Sequence, residues 1–226
     1  MPARRSKTSP RPTPHARTPR RGSSRTRDEK KETTRRRIVA AALALFEAKG
    51  FEHTTTKAIA QRAKIAEGTV FNYFPTKDDI ALYFFELEVD HAIAVVRQDT
   101  KLQAAALEEK LFALIQQQLE YLAPYERFIG TALVQALKPS STLAFSVQAV
   151  ALRHRYLAFV DELITESLPM DRVNTIQWIA PSAFWLYYLG VLLYWLHDDS
   201  PDKQKTLAFL DQSLRFGAGI LRKGTL

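Results

Sequence analysis

From residue 31 onward, apolar positions recur every three or four residues almost without interruption, and no stretch alternates apolar and polar long enough to compete as a strand. The pattern predicts an all-α protein. A first helix is expected over 33–49, with Ile38, Ala41, Ala42, Leu45 and Phe46 on one face and Gly50 following as a residue able to take positive φ. A short helix over 56–63 follows, with Thr54 or Thr55 as its N-cap. A third over 67–74 is stopped by Pro75, which cannot donate to the preceding turn. Thr76 caps a long fourth helix beginning at Lys77. Three more are expected over 102–122, 124–137 and 142–168, with Pro124, Pro139 and Pro169 at the joints, and two last ones over 171–197 and 201–222, separated by HDDSPDK.

The third helix concentrates the candidate chemistry. It holds three aromatic rings within four positions, EGTVFNYF. Turning by about 100° per residue, it puts Val70 and Phe74 on one side, Phe71 at the margin, and Gly68, Thr69, Asn72 and Tyr73 opposite. Tyr73 is then the expected outward ring. So short a helix persists only if its apolar side packs on its neighbours, which leaves the other face free for a partner. Thr69 and Asn72 carry short hydrogen-bonding groups that reach base edges, Gly68 permits close approach, and Tyr73 offers a flat body with a hydroxyl at phosphate distance. Lys77, just past the proline, is placed to clamp a phosphate.

Charge sharpens this picture. The net charge is +8, and residues 1–30 hold ten Lys/Arg against Asp28 and Glu29, which accounts for all of it. The remaining 196 residues carry 22 charges of each sign and sum to zero. The first thirty residues are rich in Pro, Ser, Thr and Arg with almost nothing apolar, and are expected to be a disordered basic tail. Two readings of the tail stay open: a mobile arm that neutralises nucleic-acid phosphates, or a solubilising leader. It lacks the apolar core of a secretory signal.

The segment FEHTTTKAIAQRAKIAEGTVFNYFPTKDDI resembles the helix-turn-helix of TetR-family transcriptional regulators: a Gly-aromatic pair, a Thr-rich cap, an Ile-Ala pair, then a short helix ending in an aromatic cluster followed by Phe, Pro, a small polar residue and Lys. The close similarity covers about residues 32–92. It implies a three-helix DNA-binding domain over 32–92 and a six-helix effector-binding and dimerisation domain over 93–226. On matching positions it implies that Thr54, Thr55, Thr56 and Lys57 meet the phosphate backbone, that Gly68, Thr69, Phe71, Asn72 and Tyr73 belong to the recognition helix in the major groove, and that Lys77 is a phosphate clamp. Lys64 stands where the turn often carries glycine, Ala66 where a serine cap is common, and Phe71 where tyrosine is frequent. The resemblance further implies a repressor that binds a palindromic double-stranded DNA operator as a homodimer and is released by a small, largely apolar effector.

The second half carries a rival signal. Residues 174–196, NTIQWIAPSAFWLYYLGVLLYWL, contain no charge and are long enough to span a membrane, so a membrane-anchored helical protein is the alternative. Against it, the Trp and Tyr residues spread along the run instead of gathering at two interfaces. A helix apolar all round also suits packing against its own domain on one side and a second subunit on the other. With the last helix, where Leu207, Leu210, Leu214 and Ile220 lie near Phe216, it would form a four-helix dimer interface from about 171–197 and 201–222. If the middle helices enclose a cavity as the resemblance implies, its candidate lining residues are Phe84, Phe85, Tyr121, Phe128, Phe145, His154 and Trp178, with Gln135 and Gln148 as polar anchors. The absence of cysteine and the scattered histidines argue against a metal site, no catalytic motif or cofactor-binding signature is present, and a cytoplasmic, non-enzymatic protein is expected.

Overall fold

The computed structural model describes residues 22–168 and 180–223. Among these there is no strand. The helices are α1 (Gly22–Lys49), α2 (Thr56–Ala63), α3 (Glu67–Tyr73), α4 (Lys77–Gln98), α5 (Thr100–Gln103), α6 (Leu107–Leu122), α7 (Glu126–Ala136), α8 (Thr142–Phe145), α9 (Val147–Ser167), α10 (Ala180–Leu196) and α11 (Gln204–Lys223), with 3-10 turns at Ala123–Tyr125 and Pro201–Lys203.

Three boundaries differ from expectation. α1 begins at Gly22, so residues 22–30 of the expected basic tail are helical, while residues 1–21 lie outside the described residues. No proline follows Arg21 until Pro75, and the Glu32–Arg36 pair at 2.9 Å is one turn apart on the same face. The expected helix over 102–122 separates into α5 and α6. That over 142–168 breaks at Ser146, whose extended backbone (φ −63°, ψ 157°) lets its side chain cap α9 by accepting from the Ala149 amide.

α1, α2 and α3 pack around Ile38, Phe46, Ile59, Ala60 and Val70, all buried. α1 ends at Gly50, which takes the positive φ of 88° expected of it and returns its amide to the Phe46 carbonyl at 2.9 Å. α4 is the long strut joining this unit to the rest: it packs on α1 at one end and on α6 and α9 along its length. A capping box fixes its start, with the Thr76 side chain accepting from the Asp79 amide and the Asp79 carboxylate accepting from the Thr76 amide. Where the two parts meet, Phe46, Phe51, Phe84, Phe85 and Phe128 form one aromatic cluster, with Phe46–Phe51 and Phe46–Phe128 centroids at 4.8 and 4.9 Å.

Candidate nucleic-acid interface and effector cavity

The turn between α2 and α3 is made by Lys64 in the left-handed region (φ 54°, ψ 47°), with its amide bonded back to Ala60 and Gln61 carbonyls. The strain of holding lysine there is about 1–2 kcal/mol. Ala66 precedes α3 without a side-chain cap. The Glu67 carboxylate instead turns toward protein and accepts from the Thr56 hydroxyl at 3.1 Å, tying the start of α3 to the start of α2.

Thr55 caps α2, its hydroxyl accepting from the Ala58 amide at 3.2 Å, and Lys57 is exposed beside it. Thr54 is 3% exposed and donates to the Gly50 carbonyl at 2.8 Å, so its hydroxyl is committed to the turn. Lys77 is likewise occupied: its ammonium donates to the Phe51 carbonyl at 2.8 Å and sits 4.4 Å from the Phe51 ring centre. On α3, Gly68 and Asn72 are exposed and Thr69 is half-buried. A Cβ added at Gly68 would meet nothing within 4 Å, so that spot is open to close approach.

The two rings on either side of Asn72 exchange roles. Phe71 is 46% exposed, whereas Tyr73 is half-buried and packs against the core. Around the bisector of Val70 and Phe74 both rings lie about 80° to either side, so the helical wheel leaves them equivalent. Neighbours decide between them. Tyr73 lines a groove that it shares with Phe74, Pro75 and Tyr83.

A cavity of about 300 Å³ opens among α4, α6, α7, α8, α9 and α10. Of the candidate residues, Phe85 and Phe145 line it. Phe84 and Phe128 do not; both are buried in the aromatic cluster between the two parts of the fold. Tyr121 packs between Phe84 and His91, Gln135 donates to Glu52, Gln148 lines the groove beside Tyr73, and His154 is exposed. Trp178 lies outside the described residues.

The polar residues that do reach the cavity are Glu88, Gln118, Arg153, Tyr156 and Tyr188. Burial pushes the Glu88 carboxyl up to about 8, and burial first, then the field of Glu88, raises the Tyr156 and Tyr188 hydroxyls. Sequence reasoning missed this group. Its signal was present, because Glu88 falls on the same stripe of α4 as the buried Ala81, Phe84 and Ala92.

A model of bacterial regulatory proteins of the tetR family matches residues 38–84, and a model of the tetracyclin repressor-like C-terminal domain matches residues 110–226, more than half of the chain. The chain belongs to the TetR family. It is 27% identical over 138 residues to the fatty acid metabolism regulator protein of Bacillus subtilis (strain 168), spanning 61% of this chain and 69% of that protein. Among solved structures, a TetR transcriptional regulator from Nitrosomonas europaea ATCC 19718 superposes with a TM-score of 0.65 at 22% identity, over 82% of this chain and 98% of that one. FadR of Thermus thermophilus, solved in complex with lauroyl-CoA, gives a TM-score of 0.57 at 24% identity over 85% and 95%. These structural likenesses establish the shared fold. As a TetR-family member the protein is a DNA-binding transcriptional regulator. Among the described residues no helix is long and apolar enough to cross a membrane; residues 174–179 of the expected membrane span lie outside them.

Proposed function

We propose that the protein is a cytoplasmic repressor that binds a palindromic operator as a homodimer and leaves it when a small, largely apolar effector fills the 300 Å³ cavity. In this assignment residues 32–92 read DNA and 93–226 bind the effector and the second subunit. Phe71, Asn72, Thr69 and Tyr73 on α3, with Gly68 permitting approach, face the major groove, while Thr55, Thr56 and Lys57 meet the backbone at the start of α2. Thr54 and Lys77 act beneath them, holding the turn after α1. The lauroyl-CoA held by Thermus FadR supports an effector with a long apolar part.

One observation carries the coupling: the helices that wall the cavity are bonded to the helix-turn-helix. The amide of Phe128, two residues into α7, donates to the Glu47 carboxylate of α1 at 3.1 Å. Gln135 further along α7 donates to Glu52, and Thr142 of α8 donates to Asp78 at the start of α4. Ile129, Ala132 and Leu133 of the same helix line the cavity. An occupant that displaces α7 therefore displaces α1 and the turn before α2, and with them the spacing of two recognition helices in a dimer.

In this assignment the dimer face stays on the last two helices, α10 and α11. Leu210 and Leu214 of α11 are buried within their own protomer, and α11 packs on α6. The outward apolar residues are Leu186, Leu193 and Tyr194 on α10 and Phe209 and Phe216 on α11, with Leu186 and Phe216 69% and 73% exposed. Native mass spectrometry of the protein with operator duplex tests the assignment. Two protomers per duplex are expected, and the double variant Leu186→Glu, Phe216→Glu should be monomeric with operator affinity lowered at least about a hundredfold, because a lone helix-turn-helix reads one half-site. A double variant that remains dimeric overturns the interface; a wild type that binds as one protomer overturns the mechanism.

A further inference from the structure

The cavity wall is apolar except at one place. Glu88 is 2% exposed and its Oε1 has no hydrogen-bond partner. Beside it the Tyr156 hydroxyl donates to Gln118 Oε1 at 2.7 Å, and Gln118 Nε2 donates to the Tyr188 hydroxyl at 3.4 Å. Gln118 also bonds the Glu88 carboxyl, an effect that opposes burial but does not outweigh it, and Oε1 is the carboxyl atom left over; Tyr188, having accepted, keeps its own proton to give. Arg153 lines the same cavity, with its guanidinium 5.8 Å from the Trp185 ring centre, and makes no ion pair with Glu88.

A buried polar atom without a partner is destabilising, and native proteins keep few of them. In a cavity wall such an atom is a place where a ligand supplies what the fold does not. We propose that Glu88, with Gln118 and Tyr188 beside it, is a polar recognition site inside the effector cavity, and that the effector is an apolar molecule bearing an uncharged hydroxyl or amide group that bonds there. This rests on the assignment of the cavity as the effector site. The uncharged character of the head group follows from the state of Glu88: burial without a counter-charge pushes the carboxyl up to about 8, so near neutral pH it presents mainly one O–H donor and one carbonyl acceptor. A hydroxyl or amide satisfies both. A plain saturated chain lying over Glu88 would seal Oε1 beneath methylene groups, and a carboxylate would bring a second acid against the first.

The test uses three rigid probes small enough for the cavity, naphthalene, 2-naphthol and 2-naphthoate, titrated calorimetrically into the full-length protein at pH 7. 2-Naphthol should bind about tenfold or more tighter than naphthalene, since a site built to hydrogen-bond discriminates against the analogue lacking the group. Glu88→Gln keeps a neutral donor and acceptor and should keep the preference. Glu88→Leu should erase it while binding naphthalene at least as tightly as the wild type, which also reports that its cavity is intact. Equal affinity for naphthalene and 2-naphthol, survival of the preference in Glu88→Leu, or tightest binding of 2-naphthoate overturns the proposal. Ala149→Phe, which fills the cavity from α9, separates the two levels of the argument: probes that bind it undiminished, or that fail to bind the wild type at all, overturn the cavity as effector site and the head-group assignment with it.

Discussion

Glu88→Gln should flatten the dependence of stability on pH. In the unfolded chain the Glu88 carboxyl ionises near its ordinary value of 4.5, whereas in the folded protein burial holds the proton until about 8. Between those values the folded state binds the proton and the unfolded state does not, so this group's contribution is full below 4.5, falls as pH rises, and is lost above 8. The shift from 4.5 to about 8, at 1.36 kcal/mol per unit, sets a ceiling of about 5 kcal/mol over the whole range and roughly 2–3 kcal/mol between pH 5.5 and 7.5. The tyrosines facing Glu88 do not titrate in that window: Tyr156 and Tyr188 are raised from an already high value, and Tyr121 is raised as well. Asp198 works at the acid end. Burial alone would raise it, but hydrogen bonds from Ser200 and Thr206 hold it below the usual carboxylate range, so its contribution is lost only at lower pH. Urea unfolding at pH 5.5 and 7.5, at one fixed protomer concentration, measures the difference. The wild type should lose roughly 2–3 kcal/mol more than Glu88→Gln between the two pH values, with the slope in urea unchanged and the variant the more stable at pH 7.5. Parallel pH profiles for the two proteins would refute the reasoning, because they would place the carboxyl in contact with water or a cation.

Three further outcomes are expected. Lys77→Ala removes an ammonium bonded to the Phe51 carbonyl, and should lower stability by about 1–2 kcal/mol and weaken binding to all duplexes alike; an unchanged melting temperature with a salt slope reduced by about one would make Lys77 a phosphate contact instead. Asn72→Ala and Thr69→Ala should each cost about 1–3 kcal/mol on the preferred site and relax specificity there, as read by competition with single-base variants; a uniform loss on every sequence would remove these side chains from base readout. Deleting residues 1–21, which hold seven Lys/Arg and no acid, should lower affinity for operator and random duplex together, most at low salt; a truncated protein that loses operator preference but keeps its affinity for random DNA would mean that the segment reads sequence.

The helical layout was legible because its signals are local. Gly50, the Thr76 cap and Pro75 each act within one turn of where they stand, and each appears at the boundary it predicts. Features that depend on which neighbour a side chain meets were not. Phe71 and Tyr73 are equivalent on the wheel, and the groove that Tyr73 lines with Tyr83 and Gln148 is a tertiary feature the wheel does not carry. Aromatic content does not distinguish a cavity wall from a packed core, so Phe84 and Phe128, chosen as cavity residues, belong to the cluster joining the two parts of the fold. Glu88 sits in ELEVDH, where three acids in five positions look like an ordinary solvated face; its place on the Ala81–Phe84–Ala92 stripe marks it as buried. The start of α1 was missed because Pro and Arg are abundant before residue 22, and the change of composition there is gradual.

The central claim, a two-fold reader of DNA built on α3, is tested most directly by selecting bound sequences from random duplexes with the full-length protein. The account predicts enrichment of one palindromic sequence whose half-sites are separated by about one helical turn or a multiple of it, with Asn72→Ala enriching a more degenerate version of the same site. Recovery of no preferred sequence at physiological salt, or of a single unrepeated half-site, would contradict it.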